Sequence, residues 1–293
     1  MSERVYLNGD MVAADAARIS VFDRGFLYGD GVFETVRSYA GRVFRADDHF
    51  ARMAAGAACL GFALPFDAAG FGRIVERCLM ENRMEDGIVR LTVSRGEGTP
   101  LPAPRSADGK PTVVGLVRPV AGHDPEAWAK GIRVVISNRR SQPADVLDPA
   151  VKSTCFLPGL LALGEARAAG ADEAIRLNHA GEVAEGSVSN LFAVQNGGLI
   201  TPPLSAGILD GVTRRVVLEL ARQAGIDAQE AALRPDDLSA ADEVFVTNTG
   251  WELMPVSEID GHPVADGRAG KMTRRLFEDF RMCTGVSSAT ATA

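Results

Sequence analysis

Two apolar runs flank an Asn-Gly pair in "RVYLNGDMVAA", and that pattern predicts a hairpin. "GVFETVRSYAGRVFRA" repeats it, with a turn at Ala40-Gly41. The period then changes. In "DDHFARMAAGAACLGF", Phe50, Met53, Ala54, Ala57 and Leu60 share one helical face, with Asp47 or Asp48 as cap and Gly61 as stop. "FGRIVERCLMENRM" reads as a second helix, followed by strands "GIVRLTVSRG" and "TVVGLVRPV". The connection between those strands, "GEGTPLPAPRSADGKP", is rich in Gly and Pro, and so long a loop in a compact domain is often functional. "RPVAGHDPEAW" reads as a linker. It sets a small domain at 1–121 and a larger one at 122–283, with a polar tail at 284–293 expected to be disordered.

The larger domain opens on a strand, "GIRVVISNRR". Pro158 suits the first turn of a helix and Gly170 its end, so "PGLLALGEARAAG" is helical. "DEAIRLNHAGEVAEGSVSNLFAVQNGGLITPP" predicts three strands, turning at Asn178 to Gly181 and at Asn196 to Gly198. "DGVTRRVVLELARQAG" predicts a helix with Val216, Val217, Leu220 and Ala221 inward, and "ADEVFVTNTGWELMPV" a buried strand ending in a polar turn.

Composition narrows the function classes. The chain has 293 residues, 46% hydrophobic, enough for two packed cores. A net charge of −7 without basic clusters argues against nucleic acid or an anionic membrane as partner. The opening residues lack the basic head and apolar run of a signal peptide, and no window reaches the length of a membrane span, so the cytoplasm is the expected location. Cys59, Cys78, Cys155 and Cys283 stand far apart without a C-x-x-C pair, and most of them are read as buried apolar residues.

Of the 31 basic residues only Lys110, Lys130, Lys152 and Lys271 are lysine. Three sit in turn-like contexts beside glycine. Lys152 alone opens onto an apolar helix, in "DPAVKSTCFLPGLLALGEA". Three further features are ordinary singly: Glu185 in "VAEGSVSNLF", the helix start at Val212 and Thr213, and the polar turn holding Thr247, Thr249 and Gly250. A helix N-terminus favours an anion through its unpaired N–H groups and its dipole. Together, a lysine among apolar residues, a distant carboxylate and an anion site are the groups that a pyridoxal phosphate site requires. Other chemistries lack support. "GRAGKMT" has the wrong glycine spacing for a phosphate loop, "GDGVFE" lacks its lysine, and no G-x-S-x-G elbow occurs. His49, His123, His179 and His262 have no metal-ligand spacing.

The segments "DRGFLYGDGVFETVR", "HFARM", "VKS", "DEAIRLN", "EGSVSNLF", "TPPLSAGILDGVTR" and "ELMPV" resemble, in order and spacing, the class IV aminotransferases, the fold-type IV pyridoxal phosphate enzymes. The resemblance implies a two-domain α/β (α+β) fold, with a small N-terminal α+β domain and a larger β-barrel-like α/β domain enclosing the site, and a homodimer. It makes Lys152 the catalytic Schiff-base lysine and Glu185 the partner of the pyridine nitrogen. Arg52, Val212, Thr213 and Thr249 would bind the phosphate, and Leu209 would pack on the ring. Arginine could not replace Lys152, because its guanidinium stays protonated.

The substrate is set by other positions. Tyr28, Phe33 and Arg90 resemble pocket residues of the branched-chain group, and Gly250 joins them as a substrate contact. "KSTCFL" lacks the Gly-Asn-Tyr of that group, with Leu157 where its cofactor-contacting tyrosine would be, and looks more like the D-amino acid and lyase branches. The loop "SRGEGTPLPAPRS" has neither the Arg-x-His of a D-amino acid carboxylate trap nor the Arg-Gly-Tyr of the lyases, while "ELMPV" leans toward the lyases. The expectation is transamination between an amino acid with an apolar side chain, branched-chain-like or D, and a 2-oxo acid. The alternatives are an aminodeoxychorismate lyase releasing pyruvate and 4-aminobenzoate, and a catalytically silent dimeric binding module.

Overall fold

The structure, a computed structural model, describes residues 3–98, 110–120, 122 and 124–285. The chain forms two compact units, one of Met1–Ala121 with Val151–Phe156, the other of Gly122–Ala150 with Leu157–Ala293. The segment carrying Lys152, inside the stretch 122–283 expected as the larger domain, belongs to the first unit. Most of the Gly- and Pro-rich loop, 99–109, and most of the tail, 286–293, lie outside the described residues.

The first unit runs β1 (Arg4–Leu7), β2 (Asp10–Ala13), α1 (Arg24–Tyr28), β3 (Gly31–Tyr39), β4 (Arg42–Val43), α2 (Ala46–Cys59), α3 (Ala68–Glu81), β5 (Gly87–Ser94) and β6 (Thr112–Pro119). Its strands make one antiparallel sheet in the order β2-β1-β6-β5-β3-β4. Both expected hairpins form. Asn8 and Gly9 take positive φ in the first turn, as its two-residue connection demands. On one face Val32, Val36, Val89, Leu91 and Val93 pack under α2 and α3, whose Met53, Ala57, Phe71 and Val75 complete the core. The start of α2 differs from the expectation: neither Asp47 nor Asp48 caps it. The chain leaves β4 through Arg45 at φ 52, so the helix begins earlier and both acids fall in its first turn, where their charge suits the helix dipole. The helix α1 is too short for periodicity to reveal; Asp23 caps it through Gly25 N–H, and Gly29, in the left-handed region, ends it.

The second unit runs α4 (Pro125–Lys130), β7 (Ile132–Ile136), α5 (Leu157–Ala168), β8 (Glu173–Leu177), β9 (Val183–Gly186), β10 (Asn190–Gln195), β11 (Gly198–Thr201), α6 (Val212–Gln223), β12 (Ala228–Glu230), α7 (Pro235–Ser239), β13 (Glu243–Asn248), β14 (Glu252–Ile259), β15 (His262–Pro263) and α8 (Lys271–Cys283). The strands form a second, mixed sheet in the order β12-β11-β10-β13-β14-β7-β8-β9, with β15 on β14. The sheet curls, bringing β9 back beside β10. The molecule is a mixed α/β protein with two sheets.

Four local expectations need correction. The presumed linker holds α4, capped by Asp124 and anchored where Trp128 Nε1 donates to Leu253 O at 2.8 Å. The region read as three strands contains four, because the chain breaks at 187–189, where Ser187 and Ser189 turn to Glu173. "ADEVFVTNTGWELMPV" holds two strands rather than one: β13 ends at Asn248, β14 begins at Glu252, and the polar turn lies between them. In α6 Leu218 is fully inward and Leu220 only half-buried. The cysteines also depart from the expectation: only Cys78 is buried, while Cys59, Cys155 and Cys283 are exposed at element ends or in a loop. No helix among the described residues is long and apolar enough to cross a membrane.

Candidate active site

Lys152 is held from both sides by backbone. Phe33 N–H donates to Lys152 O at 2.9 Å, Thr154 N–H to Gly31 O at 2.9 Å and Thr154 Oγ1 to Gly29 O at 2.7 Å. Val32 and Ser153 form a strand-like bridge, and Val151 is buried in the first unit's core. The lysine backbone is thus stitched to the start of β3. Its Nζ lies 4.6 Å from the centre of the Phe33 ring, and Arg90 Cζ lies 3.7 Å from the same centre. Burial lowers the pKa of Arg90. Phe156 meets Phe33 edge-on at 5.9 Å. Lys152, Phe33 and Arg90 are therefore gathered around one ring. Tyr28, at the end of α1, stands more exposed; Arg24 lies 5.2 Å from its ring and also binds Asp30 at 2.8 Å. Arg95 binds Asp30 too, at 2.8 Å. Burial pushes the Asp30 carboxyl up, but the hydrogen bonds and charges of Arg95 and Arg24 leave it below its ordinary range.

Glu34 projects from the other face of β3, beneath α2. It accepts from Arg52 Nε at 2.7 Å, Arg52 Nη2 at 2.8 Å and His49 Nδ1 at 2.7 Å, and it is fully buried. Burial alone would raise its pKa; the adjoining Arg52 charge and hydrogen bonds, with His49, drive it far below the usual carboxylate range. Burial holds His49 below its ordinary value despite Glu34. Glu34 fixes the fork of Arg52 in one orientation.

In the second unit, Glu185 Oε1 accepts from Arg176 Nη2 at 2.7 Å and Oε2 from Leu209 N–H at 2.9 Å. Asn190 Nδ2 donates to Leu209 O at 2.9 Å. Gly211 follows, and a Cβ there would fall 1.9 Å from Asn190 Oδ1, so only glycine lets the chain enter α6 at this place. No side chain caps α6, so the first-turn N–H groups of Val212 and Thr213 face outward from the helix end without one. Asn190 pairs across the sheet with Thr247, whose Oγ1 is buried without a hydrogen-bond partner among the described residues. Thr249 and Gly250 lie in the turn beyond, where Asn248 Oδ1 takes the N–H of Gly250 and Trp251. Uncapped helix donors beside an unsatisfied buried hydroxyl are the chemistry a phosphate oxygen would satisfy.

Elsewhere the apparent phosphate motif is closed. The start of α8, in "GRAGKMT", is filled by Glu243, which accepts from Met272 N–H, Thr273 N–H and Thr273 Oγ1. Sequence reading missed Glu34, His49 and Arg176 as members of the constellation. A signal existed for two of them. Glu34 falls in register with Val32 and Val36 on an apolar face, and Arg176 sits in "EAIRL", a strand buried throughout. Charges in such places require buried partners.

The family model described as Amino-transferase class IV matches residues 31–259. A Methanocaldococcus jannaschii protein provisionally named a branched-chain-amino-acid aminotransferase is 42% identical over 278 residues, spanning 95% of each chain. The D-alanine aminotransferase of Listeria monocytogenes is 33% identical over 281 residues, spanning 94% of each. Among solved structures, the T.th. branched-chain amino acid aminotransferase complexed with N-(5'-phosphopyridoxyl)-L-glutamate superposes with a TM-score of 0.90 at 30% identity, covering 99% of this chain and 96% of that one. A match running from β3 to the end of β14, joined by near-full-length relatives, makes this chain a member of the class IV aminotransferase family and amino-group transfer its chemistry.

Proposed function

We propose that the protein is a pyridoxal 5'-phosphate-dependent transaminase that takes the amino group of a branched-chain L-amino acid and passes it to a 2-oxo acid. The observation that carries this reading is the setting of Lys152, a lysine whose backbone is pinned to β3 and whose amine shares an aromatic ring with Arg90. The similarity to the archaeal protein provisionally named for branched-chain amino acids supports the donor class.

Pyridoxal phosphate, when bound, supplies an aldehyde that captures amines and a ring that withdraws the electrons left as a proton departs. Lys152 Nζ would be the amine that holds the aldehyde and the base that takes the proton from the substrate α-carbon. Arg52, the Val212 and Thr213 N–H groups and the Thr249 hydroxyl hold the phosphate. Leu209 packs on the ring, and Glu185 presents a carboxylate oxygen to the ring nitrogen. Arg90 offers a guanidinium to the substrate carboxylate, with Phe33 and Tyr28 as apolar walls and Gly250 leaving room beside the β13–β14 turn.

Two copies of the chain pair as a homodimer, a reading supported by Val21, Phe22 and Phe26, exposed at 64%, 59% and 67%. The cytoplasm, where free amino and 2-oxo acids circulate, is the place of work.

The test is a panel of single half-reactions followed through the visible spectrum of the bound cofactor. L-leucine, L-isoleucine and L-valine are expected to convert it to the amine form. Conversion only by D-alanine would reverse the donor assignment, and 4-aminobenzoate release without any half-reaction would replace transfer with elimination. Borohydride reduction should fix the cofactor on Lys152, and Lys152→Ala should abolish both the fixed label and turnover. A label on Lys110, Lys130 or Lys271 would refute the site.

A further inference from the structure

The deepest anomaly in the second unit is Arg176. All five residues of β8 are buried, and a guanidinium among them is costly unless it is paired. Its Nη2 donates to Glu185 Oε1 at 2.7 Å, with both side chains almost wholly enclosed at 10% and 12% exposure. Its Nε is buried with no hydrogen-bond partner among the described residues, so the arginine stands in β8 at the cost of an unsatisfied donor. An apolar residue would complete the strand without that cost. The opposite oxygen of Glu185 is held by Leu209 N–H at 2.9 Å. Two donors from separate elements, β8 and the turn before α6, thus fix both oxygens of one carboxylate.

We propose that Arg176 is a positioning residue that sets both the orientation of Glu185 and the negative charge it presents to the cofactor's ring nitrogen. The inference rests on the proposed role of Glu185 and deepens it. With Arg176 in place the pair is close to neutral, so the ring nitrogen meets a fixed hydrogen-bond acceptor rather than an uncompensated charge. Without the arginine, Glu185 loses the hydrogen bond that orients its Oε1, and the guanidinium no longer offsets its charge. The cofactor then loses an aligned partner and gains a more negative surrounding.

The experiment compares wild type, Arg176→Met, Arg176→Lys, Glu185→Gln and the double variant Glu185→Gln/Arg176→Met as full chains. The readouts are the dissociation constant of pyridoxal phosphate, by equilibrium titration, and the pH midpoint of the bound cofactor's visible absorption change. Arg176→Met should weaken cofactor binding about tenfold, the scale of one charged hydrogen bond. It should also move the midpoint upward, because a nearby positive charge has gone. Arg176→Lys keeps the charge and should leave the midpoint close to wild type; it also serves if the methionine variant does not fold. In the Glu185→Gln background the second substitution should weaken binding less than about twofold, since the arginine acts through the carboxylate. An unchanged binding constant and midpoint in Arg176→Met overturn the proposal. So does a full tenfold loss in both backgrounds, which would mark a purely structural arginine, or a midpoint in Arg176→Lys displaced as far as in Arg176→Met. If Glu185→Gln itself changes neither readout, the ring-nitrogen role falls and this inference with it; if Glu185→Gln changes them and Arg176→Met does not, this inference falls alone.

Discussion

Glu34 and His49 make the first unit sensitive to acid, and the direction follows from their surroundings. The folded Glu34 carboxyl titrates below its ordinary 4.5, so the folded state binds fewer protons than the unfolded chain there, and the stability it contributes is present above pH 4.5 and lost as pH falls below it. His49 has the same sign. Burial lowers its pKa from 6.5, so its contribution is complete above pH 6.5 and declines as pH falls from there. The melting temperature should therefore fall in two stages, a shallow one below about pH 6.5 and a steeper one below about pH 4.5. Thermal melts of His49→Gln between pH 7.5 and 5 should lack the first stage; a slope equal to wild type there would exclude His49 as its source. Arg52 could be named from its place in "HFARM", whereas the pairing that aims it could not. The strand pattern flags a charge at Glu34 on a buried face, but its partners come from a helix 15 and 18 residues onward, and only tertiary packing selects them.

At the scale of elements, the uncapped start of α6 and the end of β13 are the anion cradle we propose, and Thr247 tests it. Its buried hydroxyl has no hydrogen-bond partner among the described residues, an arrangement that costs about 1–3 kcal/mol. Thr247→Val keeps the branched shape and removes the hydroxyl. The variant should melt at the same temperature as wild type or higher without ligand, yet gain less from added pyridoxal phosphate or inorganic phosphate. A melting temperature lowered without ligand and raised normally by phosphate would assign the hydroxyl to folding instead. The strands and long helices on either side of this cradle were legible because their apolar period persists over many residues. What escaped was short or dictated from a distance. Helix α1 has five residues; the break between β9 and β10 is imposed by Glu173, a carboxylate 14 residues before Ser187; and α4 hides in a Pro-bearing stretch that reads as a linker.

For the whole molecule, the course of the chain sets a limit that no window of sequence reveals. The first unit is discontinuous: residues Met1–Ala121 are joined in it by Val151–Phe156, which return after an excursion through the second unit. Val151 contributes a buried side chain to the first core, where it packs against α2 close to Gly56. The same segment accepts from Phe33 N–H and donates from Thr154 to Gly31 O. A chain ending at Ala121 loses all of these. Removing one buried valine forfeits roughly 1.5–3 kcal/mol of burial, and each orphaned backbone group costs about 1–3 kcal/mol more where it stays buried. Against a usual margin of about 5–15 kcal/mol for a domain, that leaves little stability. The fragment 1–121 should unfold at markedly lower urea concentration than the first transition of the full chain, and an excess of a peptide spanning 148–156 should raise its midpoint. A fragment as stable as the full chain and indifferent to the peptide would show that the lysine segment merely rests on a finished unit. The expected dependence ties function to folding: the segment that completes the first core is the one that carries Lys152, so a chain in which that core is closed has its lysine in place.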